Sequence, residues 1–183
     1  MEIVYLSGFK MEHVWEHAGI DWRAANLSLP ASAQVEWTLA TPVKDAEMKV
    51  EDSKFFKSVA KECNSDEKQS SLLVMLHQLR YAICNADYQS YLKSTNVQVK
   101  DAHKFTYRNS KHKIWELKYQ KKDRIYFFTH VEDSKDGRKI LIPLLFHHKR
   151  DQATPADISS YCETAMKSFL NPQCKVELIK EKS

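Results

Sequence analysis

Two stretches of the chain carry apolar residues at the spacing of an amphipathic helix. Ser53 stands where the first helix needs an N-cap, and Asn64 and Ser65 interrupt it before the second, longer helix. The two helices are predicted to form a hairpin with one apolar side. That side consists of Phe56, Val59, Ala60 and Cys63 in the first helix, and of Leu72, Met75, Leu76, Leu79 and Ile83 in the second.

The apolar pattern changes from helical to extended after the polar and ambiguous segment 88–101. Segments 113–119, 124–131 and 139–146 are rich in β-branched and aromatic residues, which predicts three strands, with turns at 120–123 and 132–137. The last two strands are almost continuously apolar and should be buried on both faces. Pro143 cannot donate a ladder hydrogen bond, so a bulge or an edge is expected there.

A final helix is predicted to begin near Thr154, with Thr154 as its N-cap, Pro155 at its first position and Asp157 beyond. Asn171 and Pro172 end it. The order is two helices, three or four strands and one helix, which indicates an α+β domain with helices packed on a sheet. The apolar stripe of the final helix consists of Ile158, Tyr161, Cys162, Ala165 and Phe169.

The first 45 residues are the least legible. Residues 1–6 are compatible with a strand and 10–18 with a short helix, whereas the surroundings of Pro30 and Pro42 are typical of loops. Three of the four tryptophans lie in this part, so it should pack against something. We divide the chain into an N-terminal extension, 1–45, that packs on the main domain, and the main domain itself, 46–183.

Composition excludes several classes of protein. With 43% hydrophobic and 28% charged residues, the balance is that of a globular domain. No apolar run is long enough to span a bilayer, and the N-terminus does not resemble a secretion signal. The cysteines form no C-x-x-C pair and are expected to be buried free thiols, as in a reducing cytoplasm. These four residues are Cys63, Cys84, Cys162 and Cys174.

Cofactor and metal sites are not indicated. The histidines and cysteines lack the spacing of a tetrahedral metal site. With three glycines in the chain, there is no phosphate loop and no nucleophile elbow. We expect neither a metal nor a cofactor.

Positive charge is concentrated in the second half. The net charge of the whole chain is +4, yet residues 104–150 contain thirteen Lys and Arg against five Asp and Glu. A basic, aromatic-rich region of this kind is typical of a phosphate-binding surface. A solvated, charged sheet surface explains the same excess.

Four strings in this half resemble the RelE/HigB superfamily of bacterial toxins. They are I-W-E-L-K-Y from Ile114, R-I-Y-F-F from Arg124, I-L-I-P-L-L-F-H-H-K-R from Ile140, and T-P-A-D-I from Thr154. The resemblance covers about 104–170 well, and 46–83 in helix order only. It implies a RelE-like fold, in which a helical hairpin packs on a small, mostly antiparallel sheet with a C-terminal helix.

The resemblance also implies a function. Such toxins are mRNA endonucleases that cut mRNA in the ribosomal A site without a metal, using the 2′-hydroxyl of the RNA, and an antitoxin protein inhibits them. We therefore expect a cytoplasmic mRNA interferase whose partners are a cognate antitoxin and mRNA on the ribosome, and which needs no membrane. On this view the extension 1–45 extends the sheet, covers part of the fold, or docks the antitoxin or the ribosome.

Arg124 corresponds to an arginine of the family and is the first candidate to stabilise phosphate charge. Lys118 stands where the family has arginine. Lysine keeps the positive charge but cannot make the two parallel hydrogen bonds of a guanidinium to a phosphate. A three-residue turn, 120–122, would place Lys118 opposite Arg124 on one face of the sheet, whereas a two- or four-residue turn would separate them. Lys121 and Lys122 in this turn are candidate RNA-binding residues.

His147 and His148 are candidates for the general acid or base. Because they are neighbours on a strand, only one of them can face the substrate. Lys149 and Arg150 match the basic pair of the family roughly and are predicted to contact RNA phosphates. Weaker candidates are His130, Glu116 and Tyr161, for which structural roles in the sheet, in a salt bridge and in the core compete with catalytic ones.

Two other interpretations stay open. The chain is also compatible with a ParE-like toxin that binds DNA gyrase and lacks nuclease activity. A non-catalytic RNA- or protein-binding relative is the second alternative, favoured by Lys118 in place of arginine and by the irregular basic pair.

Overall fold

A computed structural model describes residues 2–25, 27, 34–151 and 153–180, which form five α-helices and one seven-stranded sheet. The expected loop at Pro30 lies outside the described residues. The helices are α1 (Met11–His17), α2 (Lys54–Glu62), α3 (Asp66–Ala82), α4 (Tyr88–Lys93) and α5 (Ala156–Leu170). The strands are β1 (Glu2–Gly8), β2 (Thr38–Val43), β3 (Gln98–Tyr107), β4 (Ser110–Tyr119), β5 (Asp123–Val131), β6 (Lys139–His148) and β7 (Cys174–Ile179).

The sheet is mixed, with the strand order β3-β4-β5-β6-β2-β1-β7. Strands β3 to β6 form an antiparallel meander, β2 pairs with β6 in parallel, and β7 pairs with β1 in parallel. The α+β class is confirmed. The expectation of a small, mostly antiparallel sheet is wrong in extent, because β1, β2 and β7 add three strands and two parallel pairs.

Helices cover both faces of the sheet. Alternate residues of β5 show this: Ile125 and Phe127 pack in the core beneath α1 to α4, whereas Tyr126 and Phe128 pack in the core beneath α5. All four are at most 1% exposed. The prediction that β5 and β6 are buried on both faces is confirmed.

Three of the five α-helices, α2, α3 and α4, begin with a side-chain N-cap. The hydroxyl of Ser53 accepts a 3.3 Å hydrogen bond from the Phe56 amide, which confirms its predicted role as N-cap of α2. Ser65 caps α3 in the same way through the Lys68 amide. The prediction for the last helix is wrong by one residue: Pro155 is the N-cap of α5, and no side chain caps it.

Strand β6 changes its neighbour along its length. Its pairing with β2 extends over Thr38 and Leu39. At Pro143 the register with β5 shifts, which confirms the predicted bulge. Past the bulge, α2 lies along β6, and the amide of Phe146 donates a 2.9 Å hydrogen bond to the Ser58 hydroxyl. Helix α2 therefore replaces a strand at this edge.

Several segments differ from the sequence expectations. Pro42 lies in β2 and not in a loop; it is beyond the β2–β6 ladder, where a missing amide costs little. The polar segment 88–101 forms α4 and the start of β3. In the extension 1–45, by contrast, β1 and α1 confirm the expected strand and short helix, while β2 is a further strand. Phe9 contacts Phe56 with ring centroids 5.5 Å apart.

None of the helices in the described residues is long and apolar enough to cross a membrane. All four cysteines are free thiols, of which Cys63 and Cys162 are buried. Burial raises the pKa of each of these two thiols to about 12. Cys84 and Cys174 are partly exposed, so the expectation of burial does not hold for them.

Candidate functional site

The turn between β4 and β5 lies beside the end of β6. It consists of Gln120, Lys121 and Lys122, and Gln120 adopts a positive φ of 53°. The amide of Lys149 donates a 2.8 Å hydrogen bond to the carbonyl of Lys122. This contact fixes the basic end of β6 next to the basic turn.

Three candidate residues form one row across the sheet. Lys118 pairs with Arg124 in the β4–β5 ladder, and Arg124 pairs with His147 in the β5–β6 ladder. The three-residue turn is thus the one observed, and it places Lys118 opposite Arg124, as that alternative predicts. The row joins a lysine, an arginine and a histidine on three adjacent strands.

Arg124 is buried, with its side chain 6% exposed. Its Nη1 donates to the carbonyl of Asp123 and its Nη2 to the carbonyl of Lys121. Its Nε lies 3.3 Å from Oε2 of Glu116. The guanidinium therefore holds the β4–β5 turn in place besides contributing positive charge to the surface.

Glu116 lies between two cations. Besides Arg124, the ammonium of Lys149 lies 3.9 Å from its Oε2, and the side chain of Glu116 is 8% exposed. A buried carboxylate is tolerated only with such partners. Glu116 thus holds two cations close together beneath the surface.

A basic basin of about 470 Å³ opens at this end of the sheet. Like charges crowd one of its walls: the pKa of Lys118 is lowered, mainly by the neighbouring charge of Lys100, and further by partial desolvation and by Arg124. Six cationic side chains and one carboxylate line the basin, and Glu116 beneath it offsets part of the charge of Arg124 and Lys149. The remaining positive charge is of the sign that attracts a polyanion. The residues that line the basin are Lys118, Lys121, Lys122, Arg124, Lys149, Arg150 and Asp151.

The two adjacent histidines have different carboxylate partners. Nδ1 of His147 lies 3.3 Å from Oε1 of Glu62, at the end of α2. Nδ1 of His148 lies 2.9 Å from Oδ1 of Asp123, which is buried. His147 shares the row with Lys118 and Arg124, whereas His148 extends from the other side of β6. Within the described part of the chain, Nε2 of His147 makes no hydrogen bond.

His130 and Tyr161 do not line the basin. His130 lies near the opposite end of β5, 5.5 Å from Phe169 between ring centroids, and burial lowers its pKa. Tyr161 lies on α5 beneath the ammonium of Lys54, and burial raises its pKa to about 12. Tyr161 instead lines a neighbouring cleft together with His147.

Sequence reasoning missed two contributors. Lys100 lies in β3, whose register with β4 sets it opposite Glu116, but its segment was too polar to assign. Glu62 belongs to α2, far from His147 in the chain, and no local pattern links the two. In the described part of the chain, no three His, Cys, Asp or Glu side chains converge as metal ligands.

Comparison of the chain with protein-family models, with curated proteins and with solved structures finds no match.

Proposed function

We propose that this chain is a metal-independent endoribonuclease, the toxin of a toxin–antitoxin system, and that the basic basin binds its RNA substrate. The observation that carries the proposal is the row of Lys118, Arg124 and His147 beside the basin. It brings together a base, a fixed cation and an ammonium group, which are the groups that phosphodiester cleavage by a 2′-hydroxyl requires.

The reaction uses the hydroxyl of the substrate as nucleophile. His147 Nε2 removes the 2′-hydroxyl proton, and the resulting positive charge on the ring is stabilised by Glu62. The 2′-oxygen forms a bond to phosphorus as the bond from phosphorus to the 5′-oxygen breaks. Lys118 donates a proton to that leaving oxygen, which yields a 2′,3′-cyclic phosphate and a 5′-hydroxyl.

The remaining cations bind and stabilise the phosphate. Lys149 and Arg150 contact the phosphate that gains charge in the transition state, while Lys121 and Lys122 contact its neighbours. Arg124 is buried below the basin, where it holds the β4–β5 turn in place and adds positive charge without being exposed to solvent. The need for a 2′-hydroxyl restricts the activity to RNA.

The RelE/HigB resemblance extends the proposal to mRNA on the ribosome and to an antitoxin that covers the basin. The α2–α3 pair, the β3–β6 meander and the following α5 support it, since they have the order that the resemblance implies.

One observation favours a second candidate, RNA binding without cleavage. Both Nη atoms of the Arg124 guanidinium donate to backbone carbonyls, Nε lies 3.3 Å from Glu116 in an ion pair without a hydrogen bond, and the side chain is buried. An arginine used in this way organises a phosphate-binding surface equally well in a protein that lacks nuclease activity.

Induced expression in a bacterial host, with mapping of mRNA 5′ ends during growth arrest, distinguishes these candidates. We expect the wild type to arrest growth and produce new ends in translated mRNA, and His147→Ala and Lys118→Ala to relieve both effects. His112→Ala, a histidine substitution in β4 outside the basin, is the matched control and should behave like the wild type.

Purified protein gives the complementary test. An RNA with one 2′-deoxy substitution at the mapped site should resist cleavage there, and cut RNA should carry a 2′,3′-cyclic phosphate. Arrest with intact mRNA contradicts the nuclease and supports another target such as gyrase. RNA binding without arrest or cleavage supports the non-catalytic candidate.

A further inference from the structure

A second cleft, of about 400 Å³, lies between α2, β6 and the start of α5. His147 contributes to its wall, and so does Tyr161. The cleft is therefore next to the basin, because the backbone of His147 pairs with Arg124 while its side chain faces α2.

One wall of the cleft is a row of lysines. Lys54, Lys57 and Lys61 follow a spacing of three and four residues, which puts them on one stripe of α2. All three are exposed, while the opposite side of the helix is buried through Phe55 and Phe56. At about 1.5 Å of rise per residue, the row extends about 10 Å.

These lysines are not neutralised by the protein. Lys54 lies over the ring of Tyr161, 4.1 Å from its centroid, and no ion pair among the described residues includes Lys57 or Lys61. Of the two carboxylates in the cleft, Glu62 is engaged by His147 and Asp157 lies on the opposite wall. The α2 wall thus has excess positive charge that a polyanion neutralises.

We propose that the lysine row Lys54, Lys57 and Lys61 binds the phosphates of single-stranded RNA that extends from the basin past His147. The proposal rests on the proposed function, and names its substrate class as an RNA strand several nucleotides long. The basin and the lysine row of α2 lie on either side of His147. An RNA strand centred on His147 therefore contacts cations in both directions along the strand. A very short RNA contacts only the basin and not the lysine row.

The test is equilibrium binding of 2′-O-methyl RNA, which cannot be cleaved by this chemistry, to the full chain over a series of salt concentrations. A 12-mer and a trimer serve as probes. The variant is Lys57→Ala/Lys61→Ala, which suits a helix because alanine favours helical structure. The control is Lys44→Ala/Lys175→Ala, which removes the same charge from exposed sites outside both clefts.

For the 12-mer, the slope of log affinity against log salt should become shallower by about 1.4 in the variant, since each contact to a single strand contributes about 0.7. The trimer should bind the variant and the wild type alike, and the control pair should not change the slope. An unchanged slope for the 12-mer overturns the proposal, as does an equal loss with the control pair or with the trimer.

The outcomes separate the two proposals. If the salt slope of the 12-mer changes as expected but the protein cleaves no RNA, the nuclease proposal is overturned and the lysine-row proposal is supported. If RNA is cleaved and His147→Ala abolishes cleavage, but the salt slope of the 12-mer is unchanged in Lys57→Ala/Lys61→Ala, the lysine-row proposal is overturned and the nuclease proposal is supported. If the wild type does not bind RNA, both are overturned.

Discussion

Arg124 and Glu116 form a buried ion pair, with Nε 3.3 Å from Oε2 and each side chain less than a tenth exposed. Taking two charges out of water is costly, and neither Nε of Arg124 nor Oε2 of Glu116 has a hydrogen bond among the described residues. The pair therefore depends on the carbonyls that accept from the two Nη atoms and on the charge of Lys149, 3.9 Å from Oε2. The consequence is asymmetric: losing one partner leaves the other charged and buried.

Arg124→Ala should therefore destabilise the fold as well as affect any activity. We expect the free energy of unfolding to fall by about 3–5 kcal/mol, as for other broken buried pairs, in urea denaturation followed by circular dichroism. Lys118→Ala, at the neighbouring position in the row, should change it by less than about 0.5 kcal/mol. Equal stability of the two variants would contradict the structural role of Arg124.

Lys100 should control the pH dependence of RNA cleavage through Lys118. A lysine that acts as the acid must be protonated, so activity falls as pH rises through its pKa. Because Lys100 lowers that pKa, Lys100→Ala should raise it and move the alkaline limb of the rate profile to higher pH.

The measurement is the single-turnover rate of RNA cleavage across the alkaline range. Lys104→Ala, also in β3 but opposite Lys113 and not among the charges that act on Lys118, is the matched control and should leave the limb in place. An unchanged limb in Lys100→Ala, with full activity at neutral pH, would exclude Lys118 as the acid.

Ser58→Ala should weaken the attachment of α2 to β6. The substitution removes the acceptor for the Phe146 amide, and an unsatisfied buried donor costs about 1–3 kcal/mol. Thermal or urea unfolding measures the loss. Ser70→Ala, at an exposed position of α3, should be within about 0.5 kcal/mol of the wild type. A neutral Ser58→Ala would mean that the hydrogen bond contributes no net stability.

The fold should lose stability in mild acid partly because of His130. Burial lowers the pKa of its imidazole below the ordinary value of 6.5, so the unfolded chain binds the proton more readily. Its contribution is present above pH 6.5 and is lost as pH falls from there through the lower pKa of the folded state. His130→Gln should show a smaller decrease in unfolding free energy between neutral pH and mild acid than the wild type. An identical pH dependence in the two proteins would rule His130 out.

The predictability of the fold varied with the strength of the apolar pattern. Strands β5 and β6 are buried on both faces, so nearly every residue signals burial, and their assignment is confirmed. Strand β3 is an edge strand in which no residue is buried and few are apolar, so its sequence lacks the alternating pattern of a half-buried strand. Strand β7 follows Pro172, which marks the end of α5 but gives no sign that the chain then joins β1.

The candidate site was predictable in its chemistry and not in its burial. Lys118, Arg124 and Lys149 were identified as basic residues near strand ends, and the turn length that aligns the first two was one of the alternatives. The contacts that bury Arg124 depend on Glu116 and on carbonyls of the turn, so they exist only after β4 and β5 pair. The pairing of His147 with Glu62 joins positions 85 residues apart, beyond the reach of any local pattern.

Helix α2 completes the sheet where β2 no longer accompanies β6. If α2 detached, the amides and carbonyls of β6 beyond Pro143 would become an unprotected template for a strand from another molecule. The same segment is highly apolar, which makes such pairing self-reinforcing between copies. Helix α2 therefore protects the protein from aggregation. Conditions that detach α2 should produce insoluble protein before the rest of the sheet unfolds.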